Sequence, residues 1–122
     1  MIEEDYVSFE IAKLLKEKGF EGRMHTFYTE EGTEMESAYV VPSNFFPIYR
    51  PTLQMAMKWL REVHNLHIQP EITAWPRKGY FVEIYLYKNR HNNFEKVPFV
   101  EHKESYEEAC EIAIKYCLEN LI

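Results

Sequence analysis

Apolar residues recur with the spacing of an amphipathic helix in three segments of this chain of 122 residues. The first segment is SFEIAKLLKEKGF, and its apolar stripe consists of Ile11, Leu14 and Leu15. Ser8 precedes the stripe as a typical N-cap, and Gly19 follows it as the left-handed residue that ends many helices. The pattern predicts a helix between these two residues.

Two further helices are predicted from the same spacing and from their starting residues. The second begins at Pro51 or Thr52, and its stripe consists of Leu53, Ala56, Met57, Leu60 and Val63. The third begins with a capping box formed by Ser105 and Glu108, and Glu111 and Lys115 are then spaced for an ion pair. The stripe of this third helix consists of Tyr106, Cys110, Ala113, Cys117 and Leu121.

Other segments alternate apolar and polar residues, which is the pattern of strands. Two short strands are predicted around an acidic turn that contains Gly32. HIQPEITAW and YFVEIYLYK follow the second helix, and FEKVPFVE is a possible edge strand interrupted by Pro98. In YFVEIYLYK the alternation directs Val82, Ile84 and Leu86 to the core and the intervening residues to the opposite face.

These elements predict an α+β fold in one domain over residues 1–122, with the order α-β-β-α-β-β-(β)-α. We expect an antiparallel sheet of about four to five strands. The three helices are expected mainly on one face of that sheet, because each has a single apolar stripe to bury.

Charge and cysteine content narrow the functional classes. The net charge is −6, although bases exceed acids within residues 41–100. An acidic chain is a poor candidate for binding a phosphate backbone, because that binding depends on clustered Lys and Arg.

Cys110 and Cys117 share one helical face roughly 10 Å apart, too far for a disulfide. No signal peptide or membrane-spanning run is visible, so we expect a cytoplasmic protein with no membrane partner.

His64 and His67 are the candidate metal ligands. A zinc site needs three or four converging donors, whereas His64 ends a predicted helix and His67 begins a predicted strand. The interpretation we favour is that His64 interacts with the C-terminal end of the helix dipole. We therefore predict no metal and no cofactor.

The chain also contains no nucleophile motif and no glycine-rich phosphate loop, so no catalytic residue is predicted.

Aromatic and basic side chains cluster in the predicted hairpin. This candidate binding surface consists of Trp75, Arg77, Lys78, Phe81, Tyr85, Tyr87 and Arg90. Three interpretations are open: cross-strand pairs that stabilise the sheet, a protein or homodimer interface, and a platform that stacks single-stranded bases. A second candidate is the loop PSNFFPIYRP, where Phe45, Phe46 and Tyr49 either close over the core or contact a partner.

Three motifs resemble those of a known group of proteins. They are AKLLKEKGF at Ala12–Phe20, PTLQMAMKWLREVH at Pro51–His64 and YEEA at Tyr106–Ala109. The group comprises small proteins of Bacteroides-type gut bacteria, their prophages and other mobile elements. The resemblance implies a cytoplasmic protein of one domain and of bacterial or phage origin. The group has no established activity, so the resemblance assigns no functional residue.

The sequence favours a non-enzymatic protein-interaction module that uses the aromatic sheet face or the 42–51 loop, and we expect it to self-associate. Binding of single-stranded nucleic acid through the same face and its basic rim is the alternative hypothesis. An enzyme of unidentified class is the third, and it requires a concave pocket with converging polar groups.

Overall fold

The computed structural model describes residues 2–21, 26–36, 48–88 and 93–122. These residues form an α+β fold with three α-helices and two antiparallel sheets of three strands each. The helices are α1 (Phe9–Glu17), α2 (Leu53–His64) and α3 (Tyr106–Tyr116), and a π-helical turn, Cys117–Leu121, continues α3. The strands are β1 (Thr26–Tyr28), β2 (Glu34–Glu36), β3 (Ile48–Tyr49), β4 (Leu66–Thr73), β5 (Gly79–Lys88) and β6 (Asn93–Lys103).

The prediction of one sheet with four to five strands is wrong, because the described strands divide between two sheets. In the first sheet, β1 pairs with β2 across the turn that contains Gly32, and with β3 on its other side. In the second sheet, β5 lies between β4 and β6. These outer strands contain Pro70 and Pro98, and a proline lacks the N–H that pairing with a further strand requires. The edges of the second sheet are therefore poorly suited to joining the first.

Each of the three described helices begins with a hydroxyl side chain that accepts a hydrogen bond from the backbone N–H three residues ahead. These N-caps are Ser8, Thr52 and Ser105. The end of α1 also matches its prediction, since Gly19 has φ of +87°. The N–H of Phe20 then donates to the carbonyl of Leu15 at 2.9 Å, which closes the helix and brings Phe20 into the core.

The buried stripe of α2 is shorter than predicted. Its buried residues are Leu53, Ala56, Met57 and Leu60. Val63 is 57% exposed, so its assignment to the stripe is wrong. At 3.6 residues per turn, His64 rather than Val63 follows Leu60 on the buried side. The helix ends at this point, because Asn65 takes a left-handed conformation.

Two side chains of α3, Glu111 and Lys115, contact the start of α1 and not each other. Glu111 Oε1 accepts a hydrogen bond from the backbone N–H of Ser8 at 2.9 Å. Lys115 Nζ lies 2.9 Å from Glu10 Oε1, and the predicted pair of Glu111 with Lys115 is wrong. The reason is that Glu111 bonds the N-cap residue of α1, whereas Lys115 pairs with Glu10 and, at 3.8 Å, with Glu119.

The first sheet is attached to the N-terminal segment through aromatic and basic side chains. The Tyr28 hydroxyl donates to the carbonyl of Val7 at 2.6 Å. The Arg50 guanidinium lies 4.1 Å from the centroid of the Tyr6 ring and 3.4 Å from a carboxylate oxygen of Glu34. These contacts join the N-terminal segment to β1 and β2.

The main core lies between the second sheet and the helices. Val82 and Ile84 of β5 are fully buried, which confirms the inward positions predicted for them. Helix α3 contacts all three strands of the second sheet, and α2 contacts β4. The neighbouring strands contribute the buried residues Leu66, Ile68, Val97 and Phe99 to the same layer.

The predicted interruption at Pro98 is a bulge within β6. Glu83 pairs with Val100 whereas Tyr85 pairs with Lys96, so three residues of β6 lie opposite one residue of β5. A proline cannot donate to the ladder of hydrogen bonds, and a bulge accommodates this loss without ending the strand.

Gly19 and Gly32 allow a matched test of packing at the β1–β2 turn. Both have φ of +87°, but a Cβ at Gly19 would meet nothing within 4 Å, whereas a Cβ at Gly32 would lie 2.8 Å from the Phe9 ring. We expect Gly19→Ala to lower the free energy of unfolding by about 1–2 kcal/mol through backbone strain, and Gly32→Ala to lower it further. Urea denaturation measures both losses, and equal losses would contradict the contact with Phe9.

Candidate functional site: the outer face of the second sheet

The residues of β5 that alternate with Val82 and Ile84 project from the other side of the second sheet, which we call the outer face. Directly paired residues of neighbouring strands share a face. The outer face therefore comprises Phe81, Glu83, Tyr85 and Tyr87 of β5, His67, Gln69 and Glu71 of β4, and Phe94, Lys96, Val100 and His102 of β6. Three of its large apolar side chains are open to solvent, with Tyr87 43% exposed, Phe94 63% and Val100 51%, whereas Phe81 and Tyr85 are half-buried.

Glu83 is the centre of a polar network on this face. The Tyr85 hydroxyl donates a short hydrogen bond to Glu83 Oε2, and Lys96 Nζ lies 3.3 Å from Glu83 Oε1. On β4, the Gln69 side-chain amide donates to Glu71 Oε1 at 2.9 Å. Glu83 thus holds the Tyr85 hydroxyl by a hydrogen bond. Lys96, on the neighbouring strand, holds Glu83 by an ion pair.

The network shifts the titration of its members. The hydrogen bond from Tyr85, with a smaller contribution from Lys96, lowers the pKa of the Glu83 carboxyl below its ordinary value. The same hydrogen bond raises the pKa of the Tyr85 hydroxyl, because removing its proton would place two negative oxygens together. Glu83 is thus a carboxylate at neutral pH with both oxygens engaged.

A cavity of about 430 Å³ opens on the outer face. It is lined by His67, Gln69, Tyr85, Tyr87 and Phe94. The rings of Tyr85 and Phe94 meet edge to face, with centroids 5.4 Å apart and an angle of 86° between their planes. The cavity thus combines aromatic walls with two polar side chains, which is the usual composition of a binding site.

Two lysines of the second sheet are engaged with carboxylates. Lys96 lies against Glu83 on the outer face, whereas Lys88 projects from the opposite side of β5 and forms a close ion pair with Glu95. A nucleic-acid phosphate at the outer face would have to compete with Glu83 for Lys96. These ion pairs weaken the case for nucleic-acid binding that the sequence made from its alternation of aromatic and basic side chains.

The structure separates the residues predicted for the binding surface. Phe81, Tyr85 and Tyr87 lie together on the outer face. Trp75, Arg77 and Lys78 are exposed in the connection between β4 and β5, where Trp75 is 86% exposed. Phe45, Phe46 and Arg90 lie outside the described residues.

Tyr49 belongs to β3 and not to a loop. It is partly buried and packs against the hydrophobic core, next to the buried Ile48. Tyr49 therefore makes the core contact that the packing alternative predicts.

The two candidate metal ligands lie on different surfaces. His64 is partly buried at the end of α2, where its ring centroid is 4.7 Å from that of Trp59. His67 projects from the outer face, between the buried Leu66 and Ile68. Within residues 2–21, 26–36, 48–88 and 93–122, no group of three or more His, Cys, Asp or Glu side chains is arranged to hold a metal ion.

Cys110 and Cys117 are free thiols in the core beneath the second sheet. Burial raises the pKa of Cys110 to about 11 and that of Cys117 to about 12. Both are therefore protonated at neutral pH, and a protonated thiol is a weak nucleophile.

Sequence reasoning missed three residues of the cavity, namely His67 as a lining residue, Gln69 and Phe94. Alternation along β5 was sufficient to place Tyr85 with Tyr87. The missing residues come from β4 and β6, and their positions depend on cross-strand register. Phe94 lies two residues before Lys96 in a predicted edge strand, which is the signal that could have placed both on this face.

Comparison with protein-family models, curated proteins and solved structures found no match to this chain. The described helices are all too short, or too polar, to cross a lipid bilayer.

Replacing Tyr85 with phenylalanine tests the network around Glu83. We expect Tyr85→Phe to raise the pKa of Glu83 toward its ordinary value, because the hydroxyl that stabilises the carboxylate is removed. A pH titration of the Glu83 carboxyl carbon by NMR measures the change, with Lys96→Met as the variant expected to raise it less. An unchanged pKa in Tyr85→Phe would show that the hydrogen bond is not formed in solution.

The buried thiols make stability depend on alkaline pH. Their pKa values are raised above the ordinary value of 9 in the folded chain, so the thiolate forms more readily in the unfolded chain. The free energy of unfolding should therefore lose a contribution as pH rises from about 9 toward 12. We expect the Cys110→Ala/Cys117→Ala variant to show a shallower decline over that range in urea denaturation. An identical decline would place both thiols in contact with water.

Proposed function

We propose that this protein is a protein-interaction module whose outer face is the contact surface. The observation that carries the proposal is the exposure of Tyr87, Phe94 and Val100 on a sheet whose other face packs against α2 and α3. Exposed aromatic and aliphatic side chains grouped on one face are typical of surfaces that bind other proteins.

The outer face of the second sheet is better suited to binding a partner than the edge strands are. A partner strand could add to an edge only by pairing with backbone groups, and both outer strands contain a proline. The exposed rings are instead suited to being buried in a partner's surface, where Tyr and Phe contribute large contact areas. A partner that covers the outer face is therefore favoured over one that extends the sheet.

Two exposed valines provide a matched test. Val100 lies on the outer face, whereas Val63 lies on α2, and their exposures are similar at 51% and 57%. We expect Val100→Ser to weaken partner binding about tenfold through loss of buried apolar area, and Val63→Ser to leave it unchanged. The measurement is affinity capture from nuclease-treated lysate of the source cell, followed by titration of the captured protein against both variants.

Stability and self-association are measured with the same proteins. Because both valines are exposed, each serine variant should keep its free energy of unfolding within about 0.5 kcal/mol of the starting protein. Sedimentation velocity shows whether the partner is a second copy of the 14.7 kDa chain. Equal binding by Val100→Ser and Val63→Ser would exclude the outer face as the contact surface, and loss of every captured partner on nuclease treatment would favour nucleic-acid binding.

A further inference from the structure

The cavity on the outer face has walls that attract cations. The faces of aromatic rings carry partial negative charge and attract a cation within about 6 Å of the ring centre. Tyr85 and Phe94 form two walls at 86° to each other, and Tyr87 is paired with Phe94 across the strands. A group that enters this corner therefore meets more than one ring.

Two residues that line the cavity, Tyr85 and Gln69, each keep an oxygen that can accept a hydrogen bond. Tyr85 has one hydroxyl proton and donates it to Glu83, so its oxygen is left to accept. The Gln69 amide nitrogen donates to Glu71, which leaves the Gln69 carbonyl oxygen as an acceptor. A group rich in donors would complement both oxygens.

The net charge of the chain also favours a cationic ligand. The Glu83 carboxylate lies behind the Tyr85 hydroxyl, and the whole chain has a net charge of −6. Lys96 is paired with Glu83, so an anionic ligand would meet acceptor oxygens, no free lysine among the described residues of the outer face and the net negative charge of the chain. A second copy of the chain would bring another −6, and the lysine of its outer face, Lys96, is already engaged with Glu83.

We propose that the cavity receives an arginine side chain from a basic segment of a partner protein. This inference rests on the proposed function, since it names the chemistry of the partner that the outer face binds. A guanidinium group is planar, stacks on aromatic rings and donates several hydrogen bonds in a fixed fork, whereas an ammonium group is a compact and strongly hydrated charge. The combination of rings and acceptor oxygens in the cavity matches the guanidinium.

The test uses a short peptide with two arginines in a glycine background, titrated into protein labelled with ¹³C at its Tyr and Phe rings. The comparison peptide carries citrulline at both positions, which keeps the shape of arginine but removes its charge. We expect the arginine peptide to shift the ring signals of Tyr85, Tyr87 and Phe94, and the citrulline peptide to leave them in place. Added salt should weaken the binding, because the attraction is partly electrostatic.

Two leucine variants separate the cavity from general attraction to an acidic protein. Phe94→Leu removes one wall while keeping an apolar side chain, and we expect it to bind the arginine peptide about tenfold more weakly. Trp75→Leu removes a ring that is 86% exposed and outside the cavity lining, and we expect no change in affinity. The ring spectra of both variants verify that the fold is retained.

The outcomes distinguish this inference from the proposed function. Equal binding of the arginine and citrulline peptides, or equal loss in the two leucine variants, overturns the arginine site. If Val100→Ser still weakens capture of a protein partner, the outer face remains an interface for a partner of other chemistry. Ring shifts caused by oligothymidine, or shifts that depend on protein concentration alone, also overturn the inference in favour of nucleic acid or a second copy, respectively.

Discussion

Val82 and Ile84 occupy the middle of the central strand of the second sheet and are completely buried against the helical layer. Neighbouring residues of a strand project to opposite faces, so this burial obliges Glu83 and Tyr85 to project outward. A shift of one residue in register would bury a carboxylate and expose two aliphatic side chains, at a high cost in free energy. The position of the Tyr85 ring in the cavity of the outer face thus depends on the packing of the core behind the sheet.

The Pro98 bulge extends this dependence to β6. It allows Val97 and Phe99 to remain buried while Lys96 and Phe94 are aligned with Tyr85 and Tyr87. The ion pair of Lys96 with Glu83 and the ring contact of Phe94 with Tyr85 both follow from that alignment. A feature that weakens backbone pairing at one point therefore sets the side-chain arrangement of the cavity.

Local signals in the sequence were enough to predict much of the fold. The N-caps Ser8 and Ser105 and the left-handed Gly19 act within a few residues, so their positions are readable without tertiary structure. The partner of Glu111 and the division of the strands into two sheets depend on residues distant in the chain. The cavity was only half predictable for the same reason, because alternation places Tyr85 and Tyr87 but not the residues opposite them.

The hydrogen bond from the Ser8 amide to Glu111 joins residues 103 positions apart, and the ion pair of Glu10 with Lys115 lies beside it. The start of α1, which is capped locally by Ser8, is therefore also held to α3. A short helix of nine residues has little stability by itself in water. The backbone amides of α1 should then become accessible to hydrogen exchange in the same cooperative opening as those of α3, so that the first and last helices unfold as one unit.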